Sequence, residues 1–175
     1  MVGQTLKKQE GFTFLEPNLE ELVKIIELSK EVFQIIEYYK KIVKEALPNS
    51  KITLIGSFAI PMCGKEEFDL LVEIDDIKRA QELIQEKGAG RFGIGPIVDG
   101  EGYCRSKKRY GIICELHILP KRHKKIKKYL DLIHKLKSNH SIRRKYEEFK
   151  RSLDGVTEEV YKAKKEKFLK ENELI

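Results

Sequence analysis

Cysteine is scarce in this chain: three in 175 residues, Cys63, Cys104 and Cys114, with no CxxC pair among them. An odd number of widely spaced thiols excludes a disulfide-stapled secreted scaffold and gives no zinc-ligand pattern, so a reducing compartment, the cytoplasm, is expected. No apolar run approaches the roughly 20 residues that a helix needs to cross a bilayer, so no membrane partner is expected. The opening MVGQTLKKQEGF has no apolar segment ahead of a small-residue cleavage site, and a signal peptide is not expected either. Asn and Gln are sparse beside Lys and Glu, a balance shared with heat-adapted proteins. Internal repeats and low-complexity linkers are missing, which leaves one domain over residues 1–175 as the reading of the length.

What is present is a sufficient core and an uneven charge. Hydrophobic residues make up 41% of the chain, and the formal net charge is +7. Residues 120–175 hold 18 Lys/Arg against 9 Asp/Glu, whereas the first 119 hold 17 against 19. The basic third therefore suits polyanions such as RNA or nucleotide phosphates, or it simply presents solvated Lys- and Glu-rich helix faces. The run KRHKKIKK (121–128) reads both ways: a solvated helix start or a phosphate-backbone patch.

Periodicity divides the chain into elements. Leu19, Leu22, Val23, Ile26, Val32, Phe33, Ile36, Ile42 and Val43 recur at three- and four-residue steps, which predicts helix from Asn18 to Leu47, whole or broken near Ser29. Asn18, with Glu21 three residues on, is a capping arrangement for its start. Short apolar runs at 51–55 and 69–74 predict strands, and Asp75-Asp76 predicts the cap of a helix to about Lys87, stopped by Gly88. The glycine-rich stretch 88–102 predicts a mobile loop, able to close over a ligand. Strands follow at 103–107 and 111–119, then helices at 123–138, 141–152 and 156–171. The order gives an α+β fold: a mixed β-sheet with helices on one side over residues 18–119, and a basic C-terminal helical layer over 120–175.

Three short stretches carry chemistry. A strand that ends in Gly56-Ser57 lets backbone approach a ligand and offers a hydroxyl and an N–H to phosphate, although most Gly-Ser pairs are plain turns. Twelve residues on, Asp69 opens an otherwise apolar strand (LLVEI); it is either a strand-entry cap or ion-pair partner, or a hard ligand for Mg²⁺. In CELHIL (114–119), alternation puts Glu115 and His117 on one face and Cys114, Leu116 and Ile118 on the other. Those two groups form either a solvent face or a metal ligand with a general base. Tyr38, Tyr39, Tyr129, Tyr146 and Tyr161 stand at helical spacings and are read as packing rather than base-stacking residues. His123, His134 and His140 are read as surface groups.

Taken together, these stretches resemble the nucleotidyltransferase (polymerase β-like) superfamily signature, hG[GS]…Dh[DE]h. More narrowly they resemble the GrpB family within it. IGSFAIPMCGKEEFDLLV (55–72) is similar to that family's IGSTAVPGLxxKPxIDIxV, with Gly56, Ser57, Pro61, Lys65 and Asp69 in place. Arg105 in YCRS and His117 in ELHIL fall on further family segments. The spacing of Tyr129-Leu130, His140, Tyr146, Lys150, Tyr161, Lys164 and Phe168 resembles the family's tail, so the likeness covers about residues 15 to 172.

The resemblance implies a nucleotidyltransferase acting on a nucleoside triphosphate or another phosphorylated small molecule, with Mg²⁺ as cofactor. It implies phosphate binding by Gly56, Ser57, Lys65 and Arg105, metal at Asp69 and Glu115, and catalytic roles for Asp69, Glu115 and His117. The chain departs from the signature at the second acid, where Leu71 stands. Glu73 would lie about 13 Å beyond Asp69 along the strand, too far to share its ion. That departure keeps open the alternative of an inactive module on the same fold, binding a nucleotide, a phosphometabolite or RNA.

Overall fold

The computed structural model describes residues 6–9, 12–15, 18–88 and 90–175, with side chains from residue 18 onward. Its organising element is the stretch EFDLLVE, Glu67–Glu73 (β6), which lies inside a five-stranded mixed sheet. Lys51–Ile55 (β4) pairs antiparallel with one edge of β6, and Ile113–Leu119 (β9) pairs parallel with the other. Gly102–Ser106 (β8) and Phe92–Ile94 (β7) extend the sheet antiparallel, in the order β4-β6-β9-β8-β7. Two short ladders flank it: Leu6–Gln9 (β1) with Phe12–Leu15 (β2), and Ile25–Ile26 (β3) with Gly64–Lys65 (β5).

Strand alternation gives the sheet two different faces. One carries Phe68, Leu70, Val72, Cys114, Leu116 and Ile118 into the main core. Two helices cover it: Lys30–Ala46 (α1), capped by Ser29, and Ile77–Lys87 (α2), capped by Asp76. Helix α1 presents Val32, Ile36, Tyr39 and Val43 at three- and four-residue steps, the amphipathic pattern its sequence requires. Each fully buried Leu, Ile or Val here stabilises the fold by about 1.5–3 kcal/mol.

The opposite face is apolar at one end, where Ile55, Leu71 and Leu119 pack under Ile126 of Lys124–Ser138 (α3). His140–Arg151 (α4) and Glu158–Glu171 (α5) complete this layer, with Tyr146, Phe149 and Phe168 stacked at 4.4–6.5 Å. Of the five tyrosines read as packing residues, Tyr39, Tyr146 and Tyr161 are buried, Tyr129 is half-buried, and Tyr38 is exposed. The three free cysteines are buried too.

Two sequence expectations need correction. No continuous helix spans 18–47; the helix begins at Lys30, and Leu19 and Leu22 are exposed. Backbone groups of the preceding segment are instead satisfied by the C-terminal layer. Val23 N–H donates to Val156 O at 2.7 Å, and Ile25 N–H donates to Asp154 Oδ1 at 2.7 Å. Nor is 88–102 a structureless loop, since β7 pairs with β8 and Val98 bridges Glu101. Glycine weakens a strand without forbidding it when both neighbours hydrogen-bond. Among the described residues, no helix is long and apolar enough to cross a membrane.

Candidate functional site

The register of β4 against β6 sets Ile55 opposite Asp69, so the chain turning out of β4 passes directly over that carboxylate. Gly56 makes this turn at φ +70°, and a Cβ built on it would stand 2.4 Å from Asp69 Oδ2. Glycine is therefore required here on two counts, left-handed backbone and close approach. Ser57–Ala59 form a single 3₁₀ turn beyond it.

The parallel pairing of β6 with β9 places Glu115 beside Asp69, and His117 follows two residues on along the same face. Asp69, Glu115 and His117 each offer a ligand atom, all within 4.8 Å of one another. His117 Nε2 lies 3.3 Å from Asp69 Oδ1, and its Nδ1 lies 2.7 Å from Glu101 Oε1. Glu101 in turn accepts from the Tyr129 hydroxyl and from Lys125 Nζ, both at 2.8 Å. Burial disfavours a charged ring, but hydrogen bonds and charges from Asp69 and Glu101 outweigh it and hold His117 up at about 10. Burial likewise opposes ionised Glu101, yet His117, Lys125 and Tyr129 hold its carboxyl at about 2. Asp69 is lowered for the same reason, His117 overcoming burial.

A second set of charges lies one step outward. Arg105 pairs with Glu115 and, at 3.2 Å, with Glu67; Lys65 pairs with Glu67 and Glu158, each at 2.8 Å. Lys65, Glu67, Arg105 and Glu158 line a cleft that Asp69, Ser57 and His117 do not line. Burial, with Glu67 and Asp69 nearby, pushes the Glu115 carboxyl up to about 7 despite Arg105.

The structure thus brings Gly56, Ser57, Asp69, Glu115 and His117 to one place. Lys65 and Arg105 adjoin it, with carboxylates already compensating their charge. Glu101 was not singled out by sequence, because it sits in the glycine-rich stretch and its partners are 16 to 28 residues away. Lys150 was visible only as one residue of a tail pattern. It is 1% exposed and donates to the Ser57 hydroxyl, while burial and the charge of Lys165 push its amine down to about 7. His134 and His140 are exposed, and His123 caps α3 by accepting from Lys125 N–H at 3.3 Å.

Asp69, Glu115 and His117 lie close enough together for one cation, which His117 could ligate only after losing its ring proton. A second has no ligand at position 71: Leu71 is fully buried against Ile55, Leu119 and Ile126. Glu73 pairs with Lys51 at 2.8 Å, at the far end of the strand.

The sequence profile of the GrpB protein family matches residues 22–173. No curated protein sequence matches the chain significantly. Among solved structures, the conserved protein GrpB from Enterococcus faecalis is similar at TM-score 0.69 and 23% identity, over 84% of this chain and 95% of that one. Cid1 poly(U) polymerase, in a structure with MgGTP bound, is similar at TM-score 0.50 and 12% identity, over 71% of this chain and 41% of that one. A further Cid1 structure, described in terms of RNA terminal uridylyl transferase activity, matches at TM-score 0.51 and 12% identity, over 71% and 40%. Identities this low show a shared nucleotidyltransferase-like fold alone, and the chain spans about two-fifths of the length of Cid1.

Proposed function

The chain belongs to the GrpB family, and from that premise we propose that it transfers a nucleotidyl group from a nucleoside triphosphate to a small molecule, a protein or an RNA end, with Mg²⁺ as cofactor. The observation that supports this reading is the convergence of Asp69, Glu115 and His117 beside the Gly56–Ser57 turn. Asp69 and Glu115 would hold the ion, which when bound aligns and neutralises phosphate oxygens. Ser57 would bind phosphate. With its ring held charged by Asp69 and Glu101, His117 would act as a hydrogen-bond donor to the phosphate or the acceptor. Glu115 is engaged by the ion in this reading: burial with Glu67 and Asp69 nearby raises its carboxyl, so a cation there would be favoured.

Leu71 favours a second reading, in which the protein binds a nucleotide or phosphometabolite without turnover. Ile126 of α3 packs with Leu71 at the position where a second acid would stand, so the second ion of a two-ion mechanism would lack that ligand. RNA contact through residues 120–175 is proposed as a partner interaction in either case, with affinity falling steeply as salt rises.

Calorimetric titration of ATP, GTP, CTP and UTP, each with and without Mg²⁺, tests the site. Wild type should bind at least one of them in a Mg²⁺-dependent way, and Asp69→Ala should weaken that binding at least about tenfold, or about 1.4 kcal/mol. Unchanged affinity in Asp69→Ala would overturn the assignment of the site. Binding with no pyrophosphate release from any of the four would favour the second reading over the first.

A further inference from the structure

The stretch GYCRSKKRYGIIC, residues 102–114, carries four cations and no acid, and its middle makes the turn between β8 and β9. Arg109 and Ile112 bridge there through two backbone hydrogen bonds, 3.0 and 3.1 Å. Tyr110-Gly111 is left as a two-residue turn with both φ positive, +54° and +77°. Such a turn favours Asn or Asp ahead of glycine, and a bulky ring in that conformation is strained. Tyr110 nevertheless stands there, 67% exposed. The Arg109 guanidinium lies 5.0 Å from the centre of its ring and 6.0 Å from that of Tyr38 on α1. Arg91 brings a second guanidinium within 5.9 Å of Tyr38. Tyr38, read from its spacing as a packing residue, is 37% exposed, with its ring set edge-on against buried Tyr39 at 5.6 Å. Among the described residues, Arg91, Lys107 and Arg109 have no carboxylate partner, whereas Lys108 pairs with Glu66, and Glu37 beside Tyr38 pairs with Lys40.

We propose that this face, Tyr38, Arg91, Arg109 and Tyr110 with Lys107 at its border, binds a single-stranded nucleic acid. Every base has a π-face to lay on a tyrosine ring or a guanidinium plane, and each backbone phosphate accepts from an arginine fork. Unpaired positive charge selects a polyanion. The two exposed rings select one whose bases are unstacked, which a duplex does not offer. Strain at Tyr110 is then kept for the sake of its ring. The binding goes beyond nucleotide transfer and does not depend on it. The face is also distinct from the basic helices of residues 120–175, none of whose tyrosines or phenylalanines is exposed.

The test is fluorescence anisotropy of a labelled poly(U) dodecamer, titrated with the full chain at about 50 and about 200 mM salt. Wild type should bind it at least about fivefold more tightly than a DNA duplex of equal length. Tyr110→Asn removes the ring but suits the turn, so it should melt no lower than wild type while weakening RNA binding about fivefold or more. Tyr110→Phe keeps the ring and should stay within about twofold of wild type. Arg91→Ala combined with Arg109→Ala should weaken binding about tenfold and flatten the slope of log affinity against log salt by about 1.4, the loss of two phosphate contacts. Absence of RNA binding by wild type overturns the proposal and leaves nucleotide transfer untouched. Equal affinity for the duplex overturns it, and so does unchanged affinity in Tyr110→Asn. Affinity that survives these variants but falls in Lys124→Ala combined with Lys128→Ala overturns it in favour of the C-terminal helices. Phosphatidylserine vesicles bound by wild type and released by the same tyrosine and arginine variants, with RNA unbound, would overturn it in favour of a membrane surface.

Discussion

Gly56 turns at φ +70° with Asp69 Oδ2 only 2.4 Å from where a Cβ would stand, so an added methyl meets both a strained backbone and a carboxylate. Gly56→Ala should lower stability by about 1–3 kcal/mol, read in a urea melt, and should weaken nucleotide binding as Asp69 is displaced. His117 makes a second prediction at this scale, of opposite kind. Its folded pKa of about 10 lies above the ordinary 6.5, so its contribution to stability is complete below about 6.5 and disappears as pH rises through about 10. Lys150 runs the other way. Its folded value of about 7 lies below 10.5, so its cost is greatest at low pH and fades as pH rises through that interval. The difference in melting temperature between wild type and His117→Gln isolates the histidine. It should shrink from pH 6.5 to 10, and a difference flat across that range would refute the charged-ring assignment.

Among elements, the segment between β7 and β8 matters most, because it delivers Glu101 to His117. Gln81 of α2 fastens both ends of it: its Nε2 donates to Gly95 O at 3.0 Å and to Tyr103 O at 2.9 Å. Gln81→Leu leaves two carbonyls without that donor and should cost about 1–3 kcal/mol. Faster amide exchange over residues 94–103, with β4 and β6 unchanged, is the signature to look for. The same comparison shows what the sequence made legible. β4, β6, β8, β9, α2 and the three C-terminal helices carry their period and caps locally, and they lie within a few residues of where pattern puts them. Asp69, Glu115 and His117 were legible because a charge inside an apolar strand stands out. The segment 18–29 was not, since its apolar spacing imitates a helix while its long-range hydrogen bonds go to residues 64–66 and 154–159. Glu101 and Lys150 gain their meaning from partners far along the chain, and no local pattern reports such pairing.

At the scale of the whole molecule, residues 120–175 are not an appendage. Ile60 and Met62, just beyond the Gly56–Ser57 turn, share a buried cluster with Leu136, Tyr146 and Leu169, and Lys65 is tied to Glu158. The core at 18–119 and the C-terminal layer should therefore unfold together: urea transitions followed by far-UV circular dichroism and by exchange of β6 amides should coincide. Two separated transitions would show the layer to be an independent unit. The distances along the chain carry a kinetic consequence as well. Ser57 meets Lys150 across 93 residues, and Ile25 meets Asp154 across 129. Loops that long close late in folding, after local helices and hairpins have formed. The Ser57–Lys150 contact then belongs to the native state rather than to the folding barrier, so weakening it should shorten the lifetime of the folded chain without slowing its formation.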